Sequence, residues 1–136
     1  MKRRRKKSLP GSPQEWLNHA ISDLALAHLG DQSDDVLPGQ VCFHAQQAVE
    51  KAIKSVLFRH NIRFPLVHDL EMLIEIARHA RLTLQGWADD VAMLNPYAVE
   101  TRYPGHWEDL EEAEVDNALK IAKEAVEWAK STLGAA

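Results

Sequence analysis

An arginine and a histidine stand close together in a stretch of turn-forming residues, and both side chains could act on phosphate. Three residues separate Arg102 from His106, and Pro104-Gly105 lies between them. A guanidinium group binds oxygen pairs in a fixed planar fork, and an imidazole can move protons near neutral pH. The residue types therefore indicate an anion site.

A structural interpretation of the same stretch stays open. Tyr97 and Tyr103 belong to the cluster and could pack on the core. Arg102 could then pair with a carboxylate of the acidic run that follows it.

Length and composition limit the class of protein. The 136 residues suffice for one domain with a core, and 46% apolar and 26% charged residues are typical of a soluble globular protein. We expect a basic disordered tail over residues 1–11 and one domain over residues 12–136. No apolar run could cross a membrane, and the basic start lacks a signal peptide's hydrophobic segment. These features and the single cysteine, Cys42, predict a cytoplasmic protein without disulfides.

The charges are distributed unevenly. Six of the sixteen basic residues fall in Lys2 to Lys7, so the body from residue 8 carries 10 positive and 20 negative charges, a formal −10. Nucleic-acid affinity depends mainly on phosphate neutralisation. Any RNA contact of the body must therefore be local.

Helical periodicity runs through most of the chain. Ser12-Pro13-Gln14-Glu15 predicts a helix start with a capping box. The second helix, opened by Pro38, shows the clearest apolar stripe. Its members are Val41, Cys42, Ala45, Ala48, Val49, Ala52, Ile53, Val56 and Leu57. The polar residues of this helix are assigned to its outer surface, and Glu50 and Lys54 to a weak surface pair. This outer set comprises His44, Gln46, Gln47, Glu50, Lys51 and Lys54.

Three further elements follow. Asp69 is expected to cap a third helix, and His68 beside it is interpreted as part of a structural turn. A shorter helix is expected over residues 84–94, ended or kinked by Pro96. A last helix is expected over residues 109–130, with its acidic start favoured by the helix dipole. With no strand pattern, the prediction is an all-α, up-and-down helical bundle of four main helices plus a short helix. The histidines lack ligand spacing, so neither a metal nor a cofactor is expected.

Three strings of residues resemble the HEPN domain family, in the family's order. They are Phe43-His44-Ala45-Gln46-Gln47-Ala48-Val49-Glu50-Lys51-Ala52, Pro65-Leu66-Val67-His68-Asp69-Leu70 and Tyr97-Ala98-Val99-Glu100-Thr101-Arg102-Tyr103-Pro104-Gly105. The resemblance covers residues 12 to 131 and implies a HEPN-like bundle that commonly dimerises.

The resemblance implies two kinds of function. One is a nucleotide- or RNA-binding module, the HEPN partner of a minimal nucleotidyltransferase in a toxin–antitoxin-like pair. Arg102, Tyr97, Tyr103 and Lys51 are its candidate nucleotide- or RNA-binding residues. The other is a metal-independent endoribonuclease in which Arg102 and His106 are catalytic. The spacing is one residue short of the family's usual range, and Glu108 stands where the nucleotidyltransferase-paired toxins have a tyrosine.

A third class, a non-catalytic dimerisation or scaffold module, also stays open because the body is so acidic. In every case we expect a homodimer. Four tryptophans and the alanine-rich stripe provide more apolar surface than a bundle of this size needs, and a two-fold interface would cover the excess.

The tail gives a first prediction. Residues 1–10 contain almost no apolar surface, so their deletion is expected to leave the melting temperature unchanged and to weaken salt-sensitive RNA binding. Thermal denaturation and RNA titration at two salt concentrations measure both effects. A large fall in melting temperature would show instead that the tail is docked on the body.

Overall fold

A computed structural model describes residues 11–98 and 110–134, and within these ranges every regular element is helical. The α-helices are α1 (Pro13–Asp31), α2 (Pro38–Arg59), α3 (Leu70–His79) and α4 (Glu112–Thr132). A 3₁₀ helix, Gly86–Ala98, lies between α3 and α4. The structure is the predicted all-α bundle.

The helix starts follow the local sequence. Ser12 Oγ accepts from the Glu15 amide and Ser12 N donates to Glu15 Oε1, both at 3.2 Å, which is the predicted capping box. Asp69 Oδ1 accepts from the amides of Glu71 and Met72, as expected of a cap. Glu111 caps α4, so this helix begins with carboxylates at the positive end of its dipole.

The central element is α2, which packs against α1, α3, α4 and the 3₁₀ helix. Its predicted apolar stripe is buried along the whole helix. The start of α2 lies at the same end of the bundle as the end of α1 and the start of α4. Cys42, near the start of α2, is therefore close enough to Asp31 and Glu114 for their charges to raise the pKa of its thiol.

The assignment of polar residues to an outer surface of α2 was wrong for three of them. Gln46, Glu50 and Lys54 are each no more than 4% exposed, and Glu50 and Lys54 form a buried pair rather than a surface one. The physical reason is that a helix with neighbours on several sides buries residues beyond its apolar stripe.

The 3₁₀ helix also differs from expectation. It runs over Gly86–Ala98 rather than over residues 84–94, and it contains Pro96, so the proline does not end it. Trp87, Val91 and Leu94 of this helix are buried. The rings of Trp87 and Trp128 lie 5.2 Å apart, and Trp128 Nε1 donates to the Thr83 carbonyl at 2.9 Å. These two tryptophans are therefore part of the core, whereas Trp107 lies outside the described residues.

Burial of Cys42 gives a pH-dependent prediction. Desolvation, reinforced by Glu114 and Asp31, raises the pKa of the Cys42 thiol from 9.0 to about 11. The unfolded chain loses this proton at lower pH than the folded one, so stability is lost as pH rises from 9 towards 11. Between pH 8 and pH 10.5 we expect Cys42 to account for about 2 kcal/mol of the loss.

Urea denaturation of the parent and of Cys42→Ala at both pH values measures this contribution. The variant should lose less stability than the parent over the same interval. Equal losses would show that the thiol ionises equally easily in the folded and unfolded chains.

Candidate functional site

The end of the 3₁₀ helix, residues 95–98, precedes the segment that carries Arg102 and is attached to the start of α3. Asn95 Oδ1 accepts from the Leu70 amide at 3.0 Å. Asn95 Nδ2 donates to Asp69 Oδ1 at 3.4 Å and to Glu71 Oε1 at 3.3 Å. One amide side chain thus joins the 3₁₀ helix to the α3 cap.

The residue before that cap is attached to α2. His68 Nδ1 lies 3.0 and 3.1 Å from the two carboxylate oxygens of Glu50, and Gln46 Nε2 donates to the His68 carbonyl at 3.3 Å. The Glu50 side chain is 3% exposed, whereas the His68 side chain is 67% exposed. Because a carboxylate oxygen accepts, Nδ1 is the donor in this contact, and Nε2 of the exposed ring is left to solvent or a ligand.

Glu50 has further partners inside the bundle. Lys54 Nζ donates to Glu50 Oε2 at 2.9 Å, and Gln46 Nε2 donates to Oε1 at 3.3 Å. Gln47 Nε2 in turn donates to Gln46 Oε1 at 2.7 Å. The result is a connected buried network, here named the Glu50 network: Gln46, Glu50, Lys54 and His68.

Tyr97, a candidate binding residue, lies in the core and is 7% exposed. It lines a cavity of about 350 Å³ between the 3₁₀ helix and α4, together with Met93, Leu94, Ala113, Glu114 and Asn117. Burial raises the pKa of the Tyr97 hydroxyl, and Cys42 and Glu114 add to the effect. Tyr97 is therefore neutral at physiological pH and anchors the chain just before residue 99.

Lys51, another candidate, faces α1. Its Nζ lies 2.6 Å from Asp23 Oδ2, and His44 Nδ1 lies 3.2 Å from Asp23 Oδ1. The ion pair compensates the charge of Lys51, so a phosphate would have to compete with Asp23 for this ammonium group.

The remaining candidates, Arg102, Tyr103 and His106, lie outside the described residues. The structure describes both flanks of their segment: Ala98 follows buried Tyr97, and Leu110 packs against the core before α4. The arginine–histidine site therefore stays a prediction. The described residues on either side of its segment, Tyr97 and Leu110, pack against the bundle.

Sequence reasoning missed the pairing of His68 with Glu50. The histidine was weighed only against its neighbour Asp69, whereas its partner stands 18 positions earlier. The available signal was that both residues fall within strings that resemble one family. That resemblance indicates their order along the chain but not their contact.

Residues 11–98 and 110–134 contain no cluster of three or more histidine, cysteine or acidic side chains able to hold a metal ion. None of their helices is long and apolar enough to cross a membrane.

Fold and site together define a helical bundle in which two of the sequence strings, one on α2 and one before α3, meet at a buried acidic residue. The model of the HEPN domain matches residues 13–132, and the chain belongs to the HEPN domain family. The structure is similar to the crystal structure of an archaeal HEPN homologue, with a TM-score of 0.70 and 21% sequence identity. The match covers 90% of this chain and 98% of that chain. No curated protein matches the chain.

The Glu50 network gives a prediction on stability. Glu50→Gln would leave the Lys54 ammonium group buried without a counter-charge, so we expect a loss of about 3–5 kcal/mol in the free energy of unfolding. Adding Lys54→Met should recover part of the loss, because the uncompensated charge is then removed. Denaturant titration measures both changes.

The matched control is Glu75→Gln. Glu75 is exposed and its contact with His79 is 3.9 Å long, so this change should be nearly neutral. A neutral Glu50→Gln, or no recovery in the double variant, would show that the buried pair does not have this energetic role.

Proposed function

We propose that this HEPN-domain protein binds nucleotide or RNA through the segment that carries Arg102. We further propose that it acts as a homodimer and as the HEPN partner of a minimal nucleotidyltransferase in a toxin–antitoxin-like pair. Family membership supports the class of ligand. The nucleotidyltransferase partner rests on the resemblance of the sequence strings.

The observation that carries the proposal is the link from Asn95 to Asp69 and Leu70. It ties the chain just before the Arg102 segment to the turn that holds His68. Arg102 is four residues beyond Ala98, and an extended chain of that length spans at most about 14 Å. The same limit applies to His106, four residues before Leu110. Both side chains therefore have a limited range about anchored ends.

A metal-independent endoribonuclease is the second candidate. In this mechanism His106 removes the proton of a ribose 2′-hydroxyl group. The 2′-oxygen attacks the adjacent phosphorus, the 5′-oxygen leaves, and Arg102 stabilises the charge of the phosphorane. The nucleophile belongs to the RNA itself, so the reaction needs no metal.

The geometry of His68 supports the endoribonuclease as a candidate function. An exposed imidazole whose Nδ1 is held by a buried carboxylate has the orientation of a general base. His68 can therefore be tested beside His106 for the same role. A non-catalytic scaffold is the third candidate, and it predicts neither binding nor cleavage.

The proposed homodimer interface lies near the end of α1 and not on the alanine-rich stripe and the tryptophans. The alanine-rich stripe of α2 and the Trp87–Trp128 pair are covered within the bundle. Exposed apolar side chains instead cluster near the end of α1, around a cavity of about 360 Å³. Leu26, Leu29 and Val36 line this cavity, and Leu37, which is also exposed, follows Val36 in the chain. Light scattering at micromolar concentration should give about twice 15.4 kDa; a monomer would contradict the dimer.

The function is tested by Arg102→Ala, Arg102→Lys and His106→Ala, each assayed for RNA binding and for cleavage in chelator. Arg102→Ala should abolish phosphate binding, and lysine should restore only part of it because it lacks the bidentate fork. In a nuclease, His106→Ala should abolish cleavage. In a binding module, it should leave binding nearly unchanged.

His68→Ala tests whether His68, rather than His106, acts as the general base. Arg78→Ala is the charge-matched control for Arg102→Ala, because Arg78 pairs with Asp89 on the surface. Unchanged nucleotide and RNA binding by Arg102→Ala would place the site elsewhere and favour the structural interpretation of this stretch.

A further inference from the structure

A third cavity lies at the opposite end of α2 from Tyr97. It has a volume of about 450 Å³ and is lined by Gly11, Trp16, Phe58, Asn61, Ile62, Arg63, Phe64 and Leu66. Cys42, whose thiol raises the pKa of Tyr97, and Phe58 stand 16 residues apart on α2, so the two ends are separated by about 24 Å. The cavity is therefore distinct from the one that Tyr97 lines.

The walls of this cavity are aromatic and partly open. Trp16 and Phe64 pack edge to face with ring centroids 6.2 Å apart. Phe58 is 40% exposed and Leu66 is 92% exposed, although both are large apolar side chains. Aromatic faces accessible from solvent are the surfaces on which unpaired bases stack.

The cavity also contains an unsatisfied donor. Trp16 Nε1 is buried and has no hydrogen-bond partner among the described residues. It lies beside Gly11, since a Cβ atom built on Gly11 would be 3.4 Å from this nitrogen. A buried N–H group without an acceptor carries a desolvation cost.

The charge around the cavity is positive in an otherwise acidic body. Residues 51–68 contain no aspartate or glutamate, although the chain has twenty of them. Arg59 and Arg63 are both exposed in this run, and neither has a carboxylate partner among the described residues. Along the chain, basic Lys7 stands four positions before Gly11.

The acidic residue nearest in sequence on α1 is Glu15, which is held at the helix start, where its Oε1 accepts from the Ser12 amide. Arg59 and Arg63 together outweigh its single negative charge. The Lys54 ammonium group lies behind the cavity, 5.4 Å from the Trp16 ring and 5.7 Å from the Phe64 ring, but Glu50 neutralises it. Arg63, which lines the cavity, and Arg59, which follows Phe58 at the end of α2, therefore provide the positive charge that a ligand would meet there.

We propose that this cavity is a second RNA contact, which takes an unstacked base of a single strand against Phe58 and its flanking phosphates on Arg59 and Arg63. Aromatic rings with adjacent guanidinium groups fit a single-stranded polyanion better than they fit an apolar peptide. The inference rests on the proposed RNA-binding function and adds a site to it.

The test is fluorescence anisotropy of the full chain with a labelled, unstructured 12-nucleotide RNA. Phe58→Leu removes the ring but keeps apolar volume, and it should weaken binding by about 5-fold to 100-fold. Phe58→Tyr keeps a stacking face and should bind like the parent. Arg63→Gln should weaken binding and reduce the slope of affinity against salt by about one ion.

Two controls match these variants. Met72→Ala alters another exposed apolar residue, and Lys120→Gln removes an exposed charge on α4. Both should leave affinity within about 2-fold. An equal effect of Lys120→Gln and Arg63→Gln would overturn the proposal, since it would indicate general electrostatic attraction.

Cross-linking gives a readout that does not depend on mutants. RNA containing 4-thiouridine should form adducts that mass spectrometry maps to residues 55–66. If Arg102→Ala weakens binding while Phe58→Leu and Arg63→Gln do not, the second contact is wrong and the proposed function stands. If the parent chain binds no RNA, both are wrong.

Discussion

The carboxylate of Glu50 is a charge buried within α2, and the surrounding structure has to compensate it. Three donors do so: Lys54, Gln46 and, from the turn before α3, His68. A buried charge is tolerated only when paired and hydrogen-bonded, so the turn that carries His68 has a defined position on α2. Asp69 and Leu70 follow this turn and bind Asn95, which defines where the 3₁₀ helix meets α3. One buried acid thus orders the contacts of three elements.

The helices and their inner faces were predictable because they are encoded locally. Caps depend on residues three positions apart, as Ser12 and Glu15 show, and a stripe depends on helical spacing. The burial of Gln46 and Lys54 was not predictable in the same way. Periodicity ranks the faces of a helix by polarity, but it carries no information on how many neighbours the helix has. Because α2 contacts four other elements, polar residues beside its stripe are buried too.

The candidate site was predictable in composition rather than in geometry. The family resemblance identified His68 and Glu50 as members of two separate strings. Their contact depends on how the connection between α2 and α3 packs against α2, 18 positions earlier in the chain. The charge of Lys51 is evident from the sequence, but its partner Asp23 is not, because Asp23 stands on another helix. Arg102 and His106 lie outside the described residues, so their predicted roles rest on residue type, chain reach and family position.

Charge distribution limits how an acidic bundle could hold RNA. With a formal −10 beyond the basic tail, the body repels a polyanion everywhere except where acidic residues are locally missing. Residues 51–68 form one such region. Arg102 lies outside it, in a separate part of the chain. Neutralisation by Arg59, Arg63 and Arg102 alone would give a salt slope of only about −2 for a single strand. Affinity would then come mainly from stacking and from hydrogen bonds in desolvated pockets. An aromatic cavity is therefore a more effective means of binding RNA for this chain than additional surface charge.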